Sequence, residues 1–391
     1  MGCIFTKVCL DEGELADEGE KTRRASHPNK KTLLLVETGG IGGTKKVTRS
    51  DDDTHDYVYI GGGVPGVALD AERVELPEYT GARDGGFQSL SKKLRWGTRS
   101  RAGNDPLRRR KENQDSFCVC DGLAEDKNVT LFCVFDGHGP EGAYVSHFVR
   151  DEYYQTVALA YAEHINRAST TSASRATVSC DIISETFNRA AQLMTDKLTA
   201  TSIDISVSGT TAVAMLVCDR DLFIANIGDS RAIVAQFDEQ ESKYALHFET
   251  QDHKPDVPEE RQRIEANNGR VFEWGSYRVW LQDVDMPGLA MSRSFGDSVA
   301  KTVGVTSDPD VTLVERITFG NAERPSFAVL ASDGVWEFMT SDECIDFISD
   351  CIVNSKMDPQ SACDALVEEA LDRWNAEEDV VDDITVAVVY F

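Results

Sequence analysis

Long apolar runs are missing from this chain: no stretch approaches the ~18–20 residues that a bilayer-spanning helix needs, so no membrane-crossing segment is expected. Ten cysteines are present among 391 residues, but none forms a C-x-x-C pair and no secretory leader precedes them. That usage predicts a reduced, intracellular protein without a disulfide framework. Positive charge is scarce in most of the chain. Residues 1–110 carry 19 Lys and Arg against 17 Asp and Glu, a balance of +2, whereas residues 111–391 carry 21 against 50, or −29. A body this acidic repels a phosphodiester backbone, so no nucleic-acid partner is expected. The excess solubilises the surface, and part of it is available to metal ions.

Two further patterns are absent. Gly39-Gly40-Ile41-Gly42-Gly43-Thr44-Lys45 imitates a phosphate loop, but no Gly-Lys-Ser/Thr follows at the required spacing, and Thr48–Asp56 is polar and acidic rather than helical. Regular strand–helix–strand alternation is also missing. Helices and strands come in separate blocks, which argues for an α+β fold with antiparallel sheets. With 41% hydrophobic residues the chain can bury a sizeable core.

What is present centres on Leu131–Phe135, a short apolar run of strand character that stops at Asp136-Gly137-His138-Gly139. Polar groups projected from the end of a buried strand are held rigidly, which suits a metal or catalytic site. An isolated Asp-Gly is more simply a turn. Three other stretches repeat the pattern, however. Glu112-Asn113-Gln114-Asp115 precedes Ser116–Cys120, Phe327–Ala331 ends in Ser332-Asp333-Gly334, and Asp382-Asp383 opens Ile384–Phe391. Carboxylates at four strand ends suggest one oxygen-rich site, the donor chemistry preferred by Mg²⁺ and Mn²⁺.

The remaining elements are read from periodicity. Helices are expected over Gly142–Arg167, Cys180–Leu198, Pro258–Asn268, Asp342–Cys351 and Pro359–Trp374, with a loop over Ala168–Thr177. Leu94–Ala102 is expected as the first strand, and Gly209–Val217, Asp221–Ile227 and Arg231–Phe237 as an antiparallel series. Phe272–Gly296 reads as an irregular surface flap.

The ordered set Arg110–Asp115, Val134–Gly139, Ser208–Ala212, Asn226–Arg231, Leu289–Asp297, Ala331–Trp336 and Asp382–Thr385 resembles the metal-dependent type 2C serine/threonine protein phosphatases, over about residues 90–391. The resemblance implies an α-β-β-α sandwich, two packed antiparallel sheets flanked by pairs of helices. It implies a residue 88–391 catalytic domain that dephosphorylates phosphoserine and phosphothreonine in proteins. Attack would come from a hydroxide bridging two Mg²⁺ or Mn²⁺ ions. Asp136 would bridge the metals, the Gly137 carbonyl would complete one, Asp333 and Asp382 would hold the other, and Asp115 would anchor metal-bound waters. His138, which as a neutral imidazole could instead bind metal, would be the general acid, and Arg110 would fork onto phosphate oxygens. Arg108 and Arg109 compete with it as solvated charge. Thr210 and the Asp252–Pro255 turn are near-site candidates of lower weight.

Three departures from the family pattern stand out. Gln114 sits where some relatives are acidic. Asp383 replaces an asparagine, leaving Asp382 and Asp383 to be distinguished as ligands, with register favouring Asp382. Glu337 replaces an aspartate that would help Asp229 hold a weak third metal. The competing class is a non-catalytic phosphoprotein-binding pseudophosphatase, against which the full set Asp136, His138, Asp333 and Asp382 argues. Hydrolysis of a different phosphoester is a third reading.

Residues 1–87 lie outside the resemblance and are expected to form a largely flexible extension. Met1-Gly2-Cys3-Ile4-Phe5-Thr6 fits the myristoylation pattern with Gly2 as acceptor, Cys3 is a candidate for palmitoylation, and Arg23-Arg24-Ala25-Ser26 resembles a site for a basic-directed kinase. The expected partners are phosphorylated proteins and, through the acyl chains, the cytoplasmic face of a membrane; without acylation the chain would be cytoplasmic. A monomer is expected.

Overall fold

The computed structural model describes residues 94–391, except 127, 172–178, 219–220, 320 and 322, and also 56–58 and 67–69. Gly2, Cys3 and the 23–26 site lie outside the described residues. In chain order the first strands are β1 (Asp56–Val58), β2 (Val67–Leu69), β3 (Arg95–Arg101), β4 (Ser116–Asp121), β5 (Val129–Phe135) and β6 (Gly137–His138). Helices α1 (Gly142–Thr171) and α2 (Cys180–Thr199) follow, then β7 (Gly209–Thr210), β8 (Ala212–Cys218), β9 (Asp221–Ile227), β10 (Arg231–Asp238) and β11 (Lys243–Glu249). After α3 (Pro258–Ala266) come β12 (Arg270–Trp274), β13 (Ser276–Trp280), β14 (Pro287–Leu289) and β15 (Phe295–Gly296), then α4 (Ser298–Lys301). The chain closes with β16 (Asp310–Val314), β17 (Phe327–Ala331), α5 (Asp333–Trp336), α6 (Ser341–Val353), α7 (Pro359–Glu377) and β18 (Ile384–Tyr390).

Two antiparallel six-stranded sheets carry the fold, ordered β1-β3-β18-β17-β10-β11 and β16-β9-β8-β5-β4-β2. Their central strands are apolar almost throughout because both faces are covered, unlike antiparallel sheets with one wet face. Side chains alternate between the two coverings. In β5, Phe132 and Val134 enter the core between the sheets with Phe117, Met215, Leu330 and Val389. Leu131, Cys133 and Phe135 point the other way, into a core shared with Val149, Tyr153 and Val157 of α1 and Phe187 and Met194 of α2. The outer face of the other sheet, which holds β17 and β18, packs on α6 and α7 through Val329, Val386 and Val388 against Ile348, Leu366 and Trp374. The result is the α-β-β-α sandwich that the resemblance implies.

Local signals set the helix starts. The Ser179 side chain caps α2, accepting from Ile182 N–H at 3.3 Å. Thr340 and Glu343 form a reciprocal capping box at α6. Asp358 caps α7, where Pro359 stands in the first turn. Among the described residues all eight cysteines are free.

Three expectations change. Helix α1 runs to Thr171, four residues into the expected loop. The stretch over 272–296 is not irregular: β12, β13 and β14 make a three-stranded antiparallel sheet that turns at Gly275. Its alternation is masked in the sequence because aromatics occupy its outer positions, with Phe272 stacked on Trp280 at 4.9 Å, while Val279 and Leu289 bury against Ile264. Finally, β1 pairs with β3 and β2 with β4, so strand structure occurs upstream of residue 88.

Candidate active site

Four strand ends deliver the carboxylates. Asp136 follows β5 of one sheet and Asp115 precedes β4 beside it; Asp333 follows β17 of the other sheet and Asp382-Asp383 precede β18. The sandwich brings these ends together. Burial raises the Asp136 carboxyl well above the ordinary aspartate value, and the negative charges of Asp333, Asp115, Asp382 and Asp229 add to it. Asp333 rises to about 7, first through burial and then through Asp382 and Asp229, although Lys254 and a hydrogen bond with Asp136 oppose the shift. Carboxylates of different strands that raise one another in this way lie close together.

The contacts separate roles that the sequence leaves open. Both oxygens of Asp383 are taken by backbone: Gly103 N–H donates to one at 2.7 Å and Gln114 N–H to the other at 2.9 Å. Asp382 is one-third exposed and receives Lys111 Nζ at 2.7 Å on Oδ1. Asp383 is thus a buried brace and Asp382 the aspartate that faces the pocket. Asp115 is buried and accepts from Ser332 Oγ at 2.7 Å, a contact that joins the two sheets. Gln114 turns away from the carboxylates; its Nε2 donates to the Gly139 carbonyl at 2.8 Å, which a glutamate could not do.

Gly137 has no room for a side chain, since a Cβ would stand 2.4 Å from the Gln114 carbonyl oxygen and 2.5 Å from that of Gly142. The tight packing fixes its backbone beside Asp136. A small ribbon, β15-β7-β6, then carries His138. Across it, His138 Nε2 meets Asp297 Oδ2 at 2.7 Å, and Ser294 Oγ donates to the same oxygen at 2.5 Å. The strand between them places Gly209 there, where a Cβ would come within 2.1 Å of the Asp297 carboxylate. Burial disfavours a charged His138, but Asp297 outweighs it and the imidazole pKa is raised. Its Nδ1 has no hydrogen-bond partner.

Arg110 lies on the 103–111 loop and is partly buried. Its neighbours differ from it: Arg109 pairs with Asp105 at 2.7 Å and Arg108 is exposed. The lower-weight candidates divide. Thr210 donates its hydroxyl to the Thr211 carbonyl at 3.0 Å. Asp252 pairs with Arg231 at 2.8 Å, and His253 receives Gly228 N–H on Nδ1 at 3.0 Å. Lys254 alone of that turn enters the site, its Nζ reaching Asp229 Oδ2 at 2.5 Å. Glu337 is exposed one turn beyond Asp333. A third cation at Asp229 would therefore have to displace an ammonium.

Among the described residues, no three of these side chains stand as a finished metal cage. Cations and hydroxyls hold them individually: Lys111 on Asp382, Lys254 on Asp229, Ser332 on Asp115. The donor set nonetheless fits hard divalent ions. It is all oxygen, its negative charge exceeds the two ammonium groups, and the buried Asp229 Oδ1 receives no hydrogen bond. Sequence reasoning overlooked the roles of Lys111, Ser332 and Asp297, and gave Lys254 only the lower weight of its turn. Asp297 ends the Leu289–Asp297 motif, but no local pattern ties it to a histidine 159 residues away.

Residues 102–379 match the family model described as protein phosphatase 2C. A rice protein, "Probable protein phosphatase 2C 64", is 36% identical over 285 residues, covering 71% of this chain and 62% of the relative. An Arabidopsis thaliana protein, "Probable protein phosphatase 2C 34", is 34% identical over 286 residues, covering 71% of this chain and 77% of the relative. A solved serine-threonine phosphatase 2C from Toxoplasma gondii superposes with a TM-score of 0.64 at 22% identity, over 76% of this chain and 95% of that one. At that identity the likeness speaks for the fold alone.

Proposed function

The chain belongs to the protein phosphatase 2C family, metal-dependent protein serine/threonine phosphatases, and on that premise we propose that it hydrolyses phosphoserine and phosphothreonine in proteins at the carboxylate cluster. The observation that carries this reading is the convergence of strand-end aspartates from opposite sheets, Asp115 and Asp136 from one and Asp333 and Asp382 from the other, tied across the sandwich by the Ser332 Oγ–Asp115 hydrogen bond at 2.7 Å. Asp136, the Gly137 carbonyl, Asp333 and Asp382 would hold two Mg²⁺ or Mn²⁺ ions, with Asp115 behind them, and a weak third at Asp229 and Glu337 would have to displace Lys254. Such ions, when bound, acidify a water and neutralise the phosphate dianion.

The chain's own groups do the rest. Arg110 presents a planar guanidinium that matches two phosphate oxygens. Asp297 holds His138 Nε2 and favours the imidazolium, which would supply the proton that the departing serine or threonine alkoxide needs. The decisive experiment is a metal-titrated assay on purified protein, with a phosphopeptide and an aryl phosphate side by side. Full turnover in excess EDTA would refute the two-metal mechanism.

The same proposal places a monomer at the cytoplasmic face of a membrane. One myristoyl chain on Gly2 binds with K on the order of 10⁴ M⁻¹, too weakly to hold the protein. Asp11, Glu12, Glu14, Asp17, Glu18 and Glu20 oppose attraction to an anionic leaflet, so the second anchor would be an acyl chain on Cys3. Fractionation checks this: Gly2→Ala should abolish membrane association and Cys3→Ser should leave a mainly soluble pool. A Gly2→Ala protein that still pellets with membranes would place the anchor elsewhere.

A further inference from the structure

A pocket of about 570 Å³ opens between the start of β10, β11 and the α5–α6 segment. It adjoins the carboxylate cluster along the chain. Glu337 on its wall donates its N–H to the Asp333 carbonyl at 2.9 Å, and Arg231 stands two residues after Asp229. Leu246, more than one-third exposed, and half-buried Phe338 give it apolar surface, with Trp336 and Met339 buried beneath them.

The charge around that surface is one-sided. Glu249, Glu337, Asp342 and Glu343 line the pocket against a single cation, Arg231. Arg231 is already committed: it pairs through two nitrogens with Asp252 at 2.9 and 2.8 Å, donates to Ser341 Oγ at 3.1 Å and lies over the Trp336 ring at 5.2 Å. It therefore adds little positive potential. Glu343 is spent on the α6 capping box and on Arg373 at 3.2 Å. Glu249, Glu337 and Asp342 are exposed at the rim.

Resting on the phosphatase reading, we propose that this pocket docks a basic segment flanking the phosphorylated residue of the substrate, with arginine or lysine heads at the rim and their methylene stems on Leu246 and Phe338. A long cationic side chain has the required form, an apolar stem under a charged head. An acidic segment would meet repulsion from three rim carboxylates in addition to the negative charge of the domain. Exposed rim charges act chiefly on encounter and selectivity, and their influence fades with salt.

The test uses the full chain. Two phosphothreonine peptides differ only in carrying arginines or alanines around the phosphorylated residue. Turnover is measured with Mn²⁺, and equilibrium binding is measured by fluorescence anisotropy on metal-free protein. The arginine peptide should show a kcat/KM roughly three- to tenfold higher and bind more tightly, and both advantages should shrink as salt rises from low to ~0.5 M. Glu249→Gln combined with Asp342→Asn should remove most of that preference while aryl phosphate turnover is unchanged. Equal binding of the two peptides, or a preference that survives the double variant, would overturn the assignment. Tighter peptide binding by an Arg23→Ala, Arg24→Ala protein would assign the pocket to the chain's own basic run and overturn it equally. Loss of aryl phosphate turnover in the parent protein would count against the phosphatase reading instead, with the binding arm still deciding the pocket.

Discussion

Two buried charge clusters in this molecule use the same residue types to opposite effect. In the catalytic cluster, Asp115, Asp136, Asp333 and Asp383 all have raised pKa values, because burial and one another's charge outweigh Lys111 and Lys254. In the second cluster, Glu260 of α3 is as deeply buried. Burial alone would raise it, but Arg263 at 2.6 Å, Arg293 at 2.8 Å and the Ser292 hydroxyl lower it to about 2. Arg293 continues to Asp310 at 2.7 Å, and Asp310 to His253 at 3.1 Å. The second cluster balances its charges and ties the three-stranded flap sheet's supporting helix to β16. The first leaves a negative surplus that bound protons or added cations must offset. The buried acid with lowered pKa is held by its own partners, whereas the set with raised values lies where the metal ions are proposed to bind.

Breaking the unbalanced cluster should have the largest effect. Excess EDTA should reduce turnover to background. Asp136→Asn or Asp333→Asn should lower kcat by on the order of 10³, the scale of a lost preorganised electrostatic contact. Neither variant should unfold the protein, because each removes repulsion. The check is that Mn²⁺ raises the melting temperature of the parent but not of these variants.

His138→Ala sharpens the contrast within the site. It should slow phosphopeptide hydrolysis by roughly 10²-fold or more, and aryl phosphate hydrolysis far less, since a phenolate leaves without a proton. Equal losses on both substrates would make His138 a ligand or a structural residue.

The balanced cluster should fail in stability rather than chemistry. Glu260→Ala leaves half-buried Arg263 with carbonyl acceptors only and Arg293 with Asp310 as its remaining carboxylate, and should cost about 2–3 kcal/mol in chemical denaturation. Its effect on kcat should be much smaller than that of Asp136→Asn. The pH dependence has a definite sign. Glu260 has a folded pKa of about 2 against an ordinary 4.5, so its contribution is complete above about 4.5 and is lost as pH falls toward 2. The stability gap between parent and Glu260→Gln should therefore be constant from pH 7 to about 5 and narrow by about 3 kcal/mol on further acidification. A gap that widens in acid would refute the ion-pair account.

Much of this was written in consecutive residues. Apolar runs such as Leu131–Phe135 and Phe327–Ala331, and helical stripes such as Val145, Val149, Tyr153 and Val157, identify their elements because periodicity is a local property of the chain. A carboxylate beside each central strand was legible for the same reason, and the ordered motifs pointed to the family. The flap sheet was not legible, because stacked aromatics such as Phe272 and Trp280 cover the alternation that normally reveals strands.

Tertiary structure alone decided what those residues do to one another. Asp382 and Asp383 are equivalent as letters; only the approach of Gly103 and Gln114 turns one into a brace and leaves the other facing the pocket. Asp297 acquires meaning when a three-stranded ribbon carries it past Gly209 to His138. Lys254 becomes part of the site, and His253 beside it does not, through the direction each side chain takes from one turn. The physical reason is common to all three. Hydrogen bonding and charge repulsion act over a few ångströms, whereas these partners stand tens to hundreds of residues apart, so their pairing exists only after both sheets have closed on their shared core.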